Sequence, residues 1–146
     1  MESIKYYKLT NSKVNKLALG TVQFGLKYGI ANQIGQIRFE DVKRILQFAR
    51  NVNIDLIDTA ISYGDSEKVI GDVGIKDFKF VSKLPALPKG HININSWVED
   101  EIQFSLKRLG IQSLYGLLIH RSENLVGDSG KKIIKALNNL KSKGIV

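Results

Sequence analysis

Three ionisable side chains stand at the ends of short apolar runs. Asp58 follows Ile54-Asp55-Leu56-Ile57, Lys83 follows Phe80-Val81-Ser82, and His120 follows Leu117-Leu118-Ile119. A carboxylate, an ammonium and an imidazole are groups from which charge pairing and proton transfer are built. An ammonium that enters a partly dry site needs an opposite charge, and Asp58, on the neighbouring run, is placed to supply it. Other chemistries fail on spacing. In Gly127-Asp128-Ser129-Gly130-Lys131-Lys132, the first glycine of a phosphate loop would have to stand at Leu125, and Lys132 replaces the Ser or Thr. A turn and helix cap is the better reading there. No G-x-G-x-x-G follows a strand, no cluster of His and carboxylates has metal-ligand spacing, and His91, in a polar loop, has no assigned role.

For the three groups to meet, the runs that end in them must be neighbouring strands. Leu17 to Gly20, Ile54 to Ile57, Phe78 to Ser82 and Leu114 to Ile119 each have the length of a buried strand. Amphipathic segments lie between them. The first helix carries Val42, Ile45, Leu46 and Ala49 on one face. The second starts near Ser66 and is short, interrupted by Gly71. In the third, Ser96 and Glu99 form a capping box, Val98, Ile102, Leu106 and Leu109 make the apolar stripe, and Gly110 sits where a left-handed C-terminal residue is wanted. The fourth runs from about Lys131 to Lys143, with Gly144 as its stop. Ahead of these units, Ile4 to Leu9 and Val14 to Leu19, separated by Thr10-Asn11-Ser12-Lys13, predict an opening hairpin centred on residues 1–15.

Strands alternating with helices predict an α/β fold with a parallel sheet, either an open doubly wound sheet or part of a barrel. The polar strand ends favour the barrel, where such ends converge on one mouth. Gly20 to His120 covers three units of about 33 residues each, so eight would need about 270, in line with the usual size of about 250. Lys143-Gly144-Ile145-Val146 reads as a helix end and the first residues of a fifth strand. Residues 16–146 are therefore expected to form the first four βα units of a partial (β/α)8 TIM barrel.

Asp58-Thr59-Ala60-Ile61-Ser62-Tyr63-Gly64-Asp65-Ser66-Glu67 resembles the aldo-keto reductase signature, in which Asp, Tyr-Gly five residues later, and Ser-Glu opening a helix occur together. Phe80 to Leu84 is similar to the strand that delivers that family's lysine, Leu117 to His120 to the strand that delivers its histidine, and Leu17 to Thr21 to its first strand. The resemblance implies an NADP(H)-dependent oxidoreductase with Asp58, Tyr63, Lys83 and His120 as its catalytic positions. Hydride addition to a carbonyl leaves charge on oxygen, which calls for a positioned acid, and Tyr63 is the matched one. A free phenol is a poor proton donor near neutrality, and an adjacent ammonium, Lys83, stabilises the phenolate left behind. Asp58 pairs with Lys83, and His120 orients the substrate oxygen or assists proton transfer. Gly20, Thr21 and Asp58 are the expected contacts to NADPH. Gly20 to Gly25 is expected to line the nicotinamide side, while Tyr28 more often packs its loop than joins the site. Taken singly, each of these residue types has a bland reading in packing or solvation; four together at matching positions reverse the odds.

Composition agrees with a chain that folds around one core. The chain has 146 residues, 43% of them apolar, and no cysteine, so stability rests on packing without disulfides or thiolate metal sites. No apolar run reaches the 18 residues of a membrane span and the N-terminus lacks a signal-peptide pattern, so a cytoplasmic protein with no membrane partner is expected. A net charge of +8 raises nucleic acid as a partner. The densest basic group, Lys131, Lys132, Lys135, Lys141 and Lys143, alternates with Ile133, Ile134, Leu137 and Leu140 and so reads as the solvated face of a helix. The expected partner is a small carbonyl substrate, with no nucleic acid.

In this family most nucleotide contacts come from the second half of the barrel, so the chain alone is expected to be a poor enzyme or none. Four strands also leave two edges and one apolar face uncovered. Such a unit calls for a second copy, a complementary C-terminal half, or, failing both, aggregation. Two function classes follow: the catalytic half of a reductase, or an inactive half-barrel kept as a binding or interaction module.

Overall fold

The structure, a computed structural model, describes residues 16–90 and 93–146. The expected hairpin over residues 1–15 and the loop residue His91 lie outside the described residues. Strands and helices alternate as β1 (Ala18–Gly20), the short α1 (Val22–Gly25), α2 (Phe39–Asn51), β2 (Leu56–Asp58), α3 (Ser66–Val73), β3 (Lys79–Leu84), α4 (Ile94–Leu109), β4 (Gly116–Ile119), a single 3-10 turn (Ser122–Leu125) and α5 (Gly127–Ser142). All four strands are parallel and lie in the order β1-β2-β3-β4. This is the arrangement of a partial TIM barrel. Among the described residues, no helix is long and apolar enough to cross a membrane.

The core lies between the sheet and its helices. Ile57 of β2 and Phe80 and Leu84 of β3 pack against Leu46 of α2, Ile70 of α3 and Ile102 of α4, all of them buried. Along β3 burial alternates, so Phe80, Ser82 and Leu84 turn toward the helices while Val81 and Lys83 turn the other way. On that second face Leu118 of β4 is 49% exposed.

Several boundaries differ from the expected ones because pairing, not local pattern, decides where a strand begins. β2 starts at Leu56 instead of Ile54, because Ile54 N–H still donates to Ala49 O (2.9 Å), closing α2 around Asn53, which sits at φ 60°. β3 continues through Leu84, so Lys83 is inside the strand and not beyond it: the register Val81↔Gly116 to Leu84↔Ile119 holds these residues against β4. β4 starts at Gly116 instead of Leu114, whose N–H donates to Ile145 O (2.9 Å).

Helix starts differ for related reasons. The N-cap of α4 is Asn93, whose side chain accepts from Ser96 N–H (3.1 Å), so Ser96 is inside the first turn and not the cap. Asparagine caps as well as serine, and starting there buries Ile94 and Trp97. α3 runs through Gly71 unbroken: a Cβ there would stand 2.0 Å from Arg108 O, so the glycine admits the α4 backbone at contact distance. α5 starts at Gly127, about a turn earlier than expected, with Asp128 in its first turn where a negative charge suits the helix dipole. Its buried stripe is Ile133, Ala136 and Leu140, with Ile134 exposed and the five lysines on the solvent side. Gly110 and Gly144 follow α4 and α5 in left-handed conformation, as expected.

Candidate active site

Asp58 is the last residue of β2, and Lys83 lies on the adjacent strand on the same side of the sheet. Lys83 Nζ donates to Asp58 Oδ1 and Oδ2, each at 2.9 Å, and to the Thr59 carbonyl at 2.8 Å. These oxygens account for the donors of a primary ammonium. The lysine side chain is 16% exposed and the aspartate 39%, so the pair is partly withdrawn from water and is screened less than a surface ion pair.

Tyr63 sits in the turn between β2 and α3, with its N–H bonded to Ala60 O (3.0 Å) and its carbonyl accepting from Ser66 N–H (3.1 Å). Its ring receives two neighbours. Lys83 Nζ is 4.9 Å from the ring centroid, within the range of a cation–π contact. The His120 ring stands edge-on to it, centroids 5.9 Å apart at 84°. His120 itself is exposed just beyond β4, held by its N–H on Leu84 O (3.0 Å). The structure thus brings Asp58, Tyr63, Lys83 and His120 to one place at the C-terminal ends of β2, β3 and β4.

The first strand contributes differently from expectation. Thr21, read as a cofactor contact, is wholly buried. Both its N–H and its hydroxyl donate to Asp58 O, each at 3.1 Å, so it fixes the end of β2. Behind it Ser66 Oγ donates to Thr21 O (2.9 Å) and lies 3.0 Å from Thr21 Oγ1 and 3.3 Å from Thr59 Oγ1. Phe24 and Gly25 are buried too, so three of the six residues read as lining the nicotinamide side, Thr21, Phe24 and Gly25, are packed away. A Cβ on Gly25 would stand 1.8 Å from Tyr63 O, and one on Gly64 2.6 Å from Gly25 O; two bare backbones meet behind the tyrosine. Gly20 remains on the open side, paired in register with Asp58 and with clear space around it. Tyr28 is 59% exposed, and its carbonyl ties the loop by accepting from Gln23 and Asn32.

One group of residues escaped the sequence reading. Glu67 is 1% exposed, with Oε1 accepting from Ser82 Oγ and Ser105 Oγ (2.7 Å each) and Oε2 from Arg108 Nε (2.9 Å). Arg108 Nη2 also lies 2.8 Å from Oε2, an ion-pair contact without the direction of a hydrogen bond. The available signal was Ser105, a polar residue inside the apolar stripe of α4, because a buried hydroxyl demands a partner.

The sequence profile of the Aldo/keto reductase family matches residues 16–146. No curated protein matches the chain by sequence. Among solved structures, a Pseudomonas aeruginosa protein assigned to the aldo-keto reductases is 27% identical, with a TM-score of 0.72 over 88% of this chain and 51% of its own. An aldo-keto reductase from Bacillus halodurans, solved in its holo form, shares the fold at 19% identity and a TM-score of 0.67, over 89% of this chain and 43% of its own. One from Bombyx mori, in complex with NADP, does so at 21% and 0.63, over 88% and 43%. The chain spans about half the length of these structures. With the profile matched from residue 16 to residue 146, the chain belongs to the aldo/keto reductase family.

Proposed function

We propose that this chain carries the proton-donating tetrad of a reductase that uses NADPH to convert an aldehyde, ketone or sugar-derived carbonyl to an alcohol. The observation that supports it most is the position of Lys83, gripped by Asp58 and lying against the Tyr63 ring, to which His120 is edge-on. When bound, NADPH supplies the hydride. Tyr63 gives its phenolic proton to the carbonyl oxygen as charge develops there. Lys83 stabilises the phenolate that remains, Asp58 holds Lys83 in place through its two 2.9 Å hydrogen bonds, and His120, exposed at the rim, orients the substrate oxygen. Gly20 and Asp58, paired in register on the open side of the sheet, fit the flat nicotinamide end, and Thr21 supports them from behind. The Bombyx mori relative holds NADP, which favours that cofactor.

The test is Tyr63→Phe in the chain completed by a C-terminal half. Carbonyl reduction should fall by about 10²- to 10⁴-fold while NADPH binding, read by nicotinamide fluorescence, is unchanged. Equal turnover in the variant would defeat the role.

A second reading, an inactive half-barrel acting through its surface, is favoured by the exposed Leu118 and by β1 and β4 as the outer strands of the described sheet. On this reading the isolated chain self-associates or takes up a complementary half. A clean monomer by light scattering at micromolar concentration, with stability unchanged on dilution, rules out self-association.

A further inference from the structure

We infer that Glu67 is a positioning residue for the candidate site, acting through Ser82 on the strand that presents Lys83. The inference rests on the tetrad reading above. Glu67 is the second residue of α3 and is shut away from water, with one carboxylate oxygen shared between Ser82 of β3 and Ser105 of α4 and the other engaged by Arg108. A carboxylate has lone pairs enough for all three donors, and bonds to a charged acceptor are shorter and stronger than neutral ones. The bond to Ser82 is 2.7 Å long.

The geometry makes this more than a packing device. Ser82 and Lys83 are successive residues on opposite faces of β3, so a grip on the Ser82 side chain from the helix side fixes the height of the peptide from which Lys83 springs. The Ser66-Glu67 pair also reaches the other half of the tetrad. Ser66 N–H donates to Tyr63 O at 3.1 Å, and Ser66 Oγ binds Thr21, which in turn holds the Asp58 carbonyl. One dipeptide is therefore bonded to the turn that carries Tyr63, to the support of Asp58 and to the neighbour of Lys83. The 4.9 Å separation of Lys83 Nζ from the Tyr63 ring is set across it. Apolar contacts around β3 have no direction and tolerate a slide, whereas a hydrogen bond is lost with small changes of distance and angle.

Two substitutions separate positioning from mere stability. Ser82→Ala and Ser105→Ala each remove one 2.7 Å bond to the same Oε1, but only the first lies on the path to Lys83. The readout is the NMR shift of the Lys83 ε-methylene in the 146-residue chain, recorded with isotope-labelled lysine. Its ring-current component from Tyr63 is the part that vanishes in Tyr63→Leu. Ser82→Ala should lose at least half of that component, while Ser105→Ala, with a similar drop in melting temperature, should keep it. Where Ser82→Ala does not fold, Glu67→Gln is read by the same criterion. An unchanged Lys83 shift in Ser82→Ala, or equal loss in both alanine variants, would overturn the inference. No turnover is needed, so this result stands apart from that of Tyr63→Phe. In the completed enzyme Ser82→Ala should lower kcat about tenfold with KM unchanged, as expected when a reacting group is displaced.

Discussion

Replacing Gly25 with alanine would move Tyr63 without touching its side chain. A Cβ there would lie 1.8 Å from the Tyr63 carbonyl oxygen, 2.4 Å from Ser66 N and 2.9 Å from Asp65 N, all of them backbone atoms. No rotamer change relieves a clash with backbone, so α1 and the Tyr63 turn must part by more than about 1 Å, an overpacking strain of about 1–3 kcal/mol. The added methyl presses on both atoms of the Ser66 N–H to Tyr63 O bond, so the displacement falls on the turn that aims the phenol. A misplacement of about 1 Å in a reacting group costs roughly 10²-fold in rate. Thermal unfolding of the chain itself should show a fall of roughly 3–10 °C. NADPH oxidation followed by absorbance in the completed enzyme should show the loss in rate. Gly20→Ala is the control for the unfolding measurement, because nothing lies within 4 Å of its added carbon and the melting temperature should stay as it is. Wild-type turnover and melting temperature in Gly25→Ala would refute the contact as a determinant of the site.

Asn93→Ala removes the side chain that accepts from Ser96 N–H and should destabilise the chain by about 1 kcal/mol; Asn93→Ser should restore most of it in the same melt. The Lys79 ammonium, hydrogen-bonded to Asp55 at 2.8 Å, holds that carboxyl below its ordinary 3.8, and the same bond holds Lys79 above its ordinary 10.5. The aspartate's contribution to stability is thus present above pH about 4 and lost as pH falls through the lowered value, and that of Lys79 is present below its ordinary value and lost as pH rises past the raised one. Both groups are solvent-exposed, so the effect is small. Lys79→Met should lose melting temperature less steeply below pH 4 than the wild type, and an unchanged slope would count against the pair.

Much of the architecture was legible because helix and strand periods are local. The α2 face of Val42, Leu46 and Ala49 and the α4 stripe of Val98, Ile102, Leu106 and Leu109 are buried as their spacing requires. Boundaries were less legible, since a strand begins where a neighbour offers hydrogen bonds: the bond from Ile54 to Ala49, not composition, keeps Ile54 out of β2. Ser96 was mistaken for the α4 cap because Asn93, three residues earlier, offers the same chemistry. The Glu67 network was hidden by distance, its partners lying 15, 38 and 41 residues away.

Residue order alone determined the four strand-and-helix units and the presence of a carboxylate, an amine and an imidazole at or near the ends of successive strands, because an alternating fold repeats its geometry with each unit. Only the tertiary structure decided that Thr21 turns inward to hold Asp58, that Gly25 presses against the Tyr63 backbone, and that one buried carboxylate joins α3 to β3 and α4. Those contacts depend on how far one strand or helix is shifted against the next, a quantity fixed by packing among residues remote in the chain and carried by no single stretch of it.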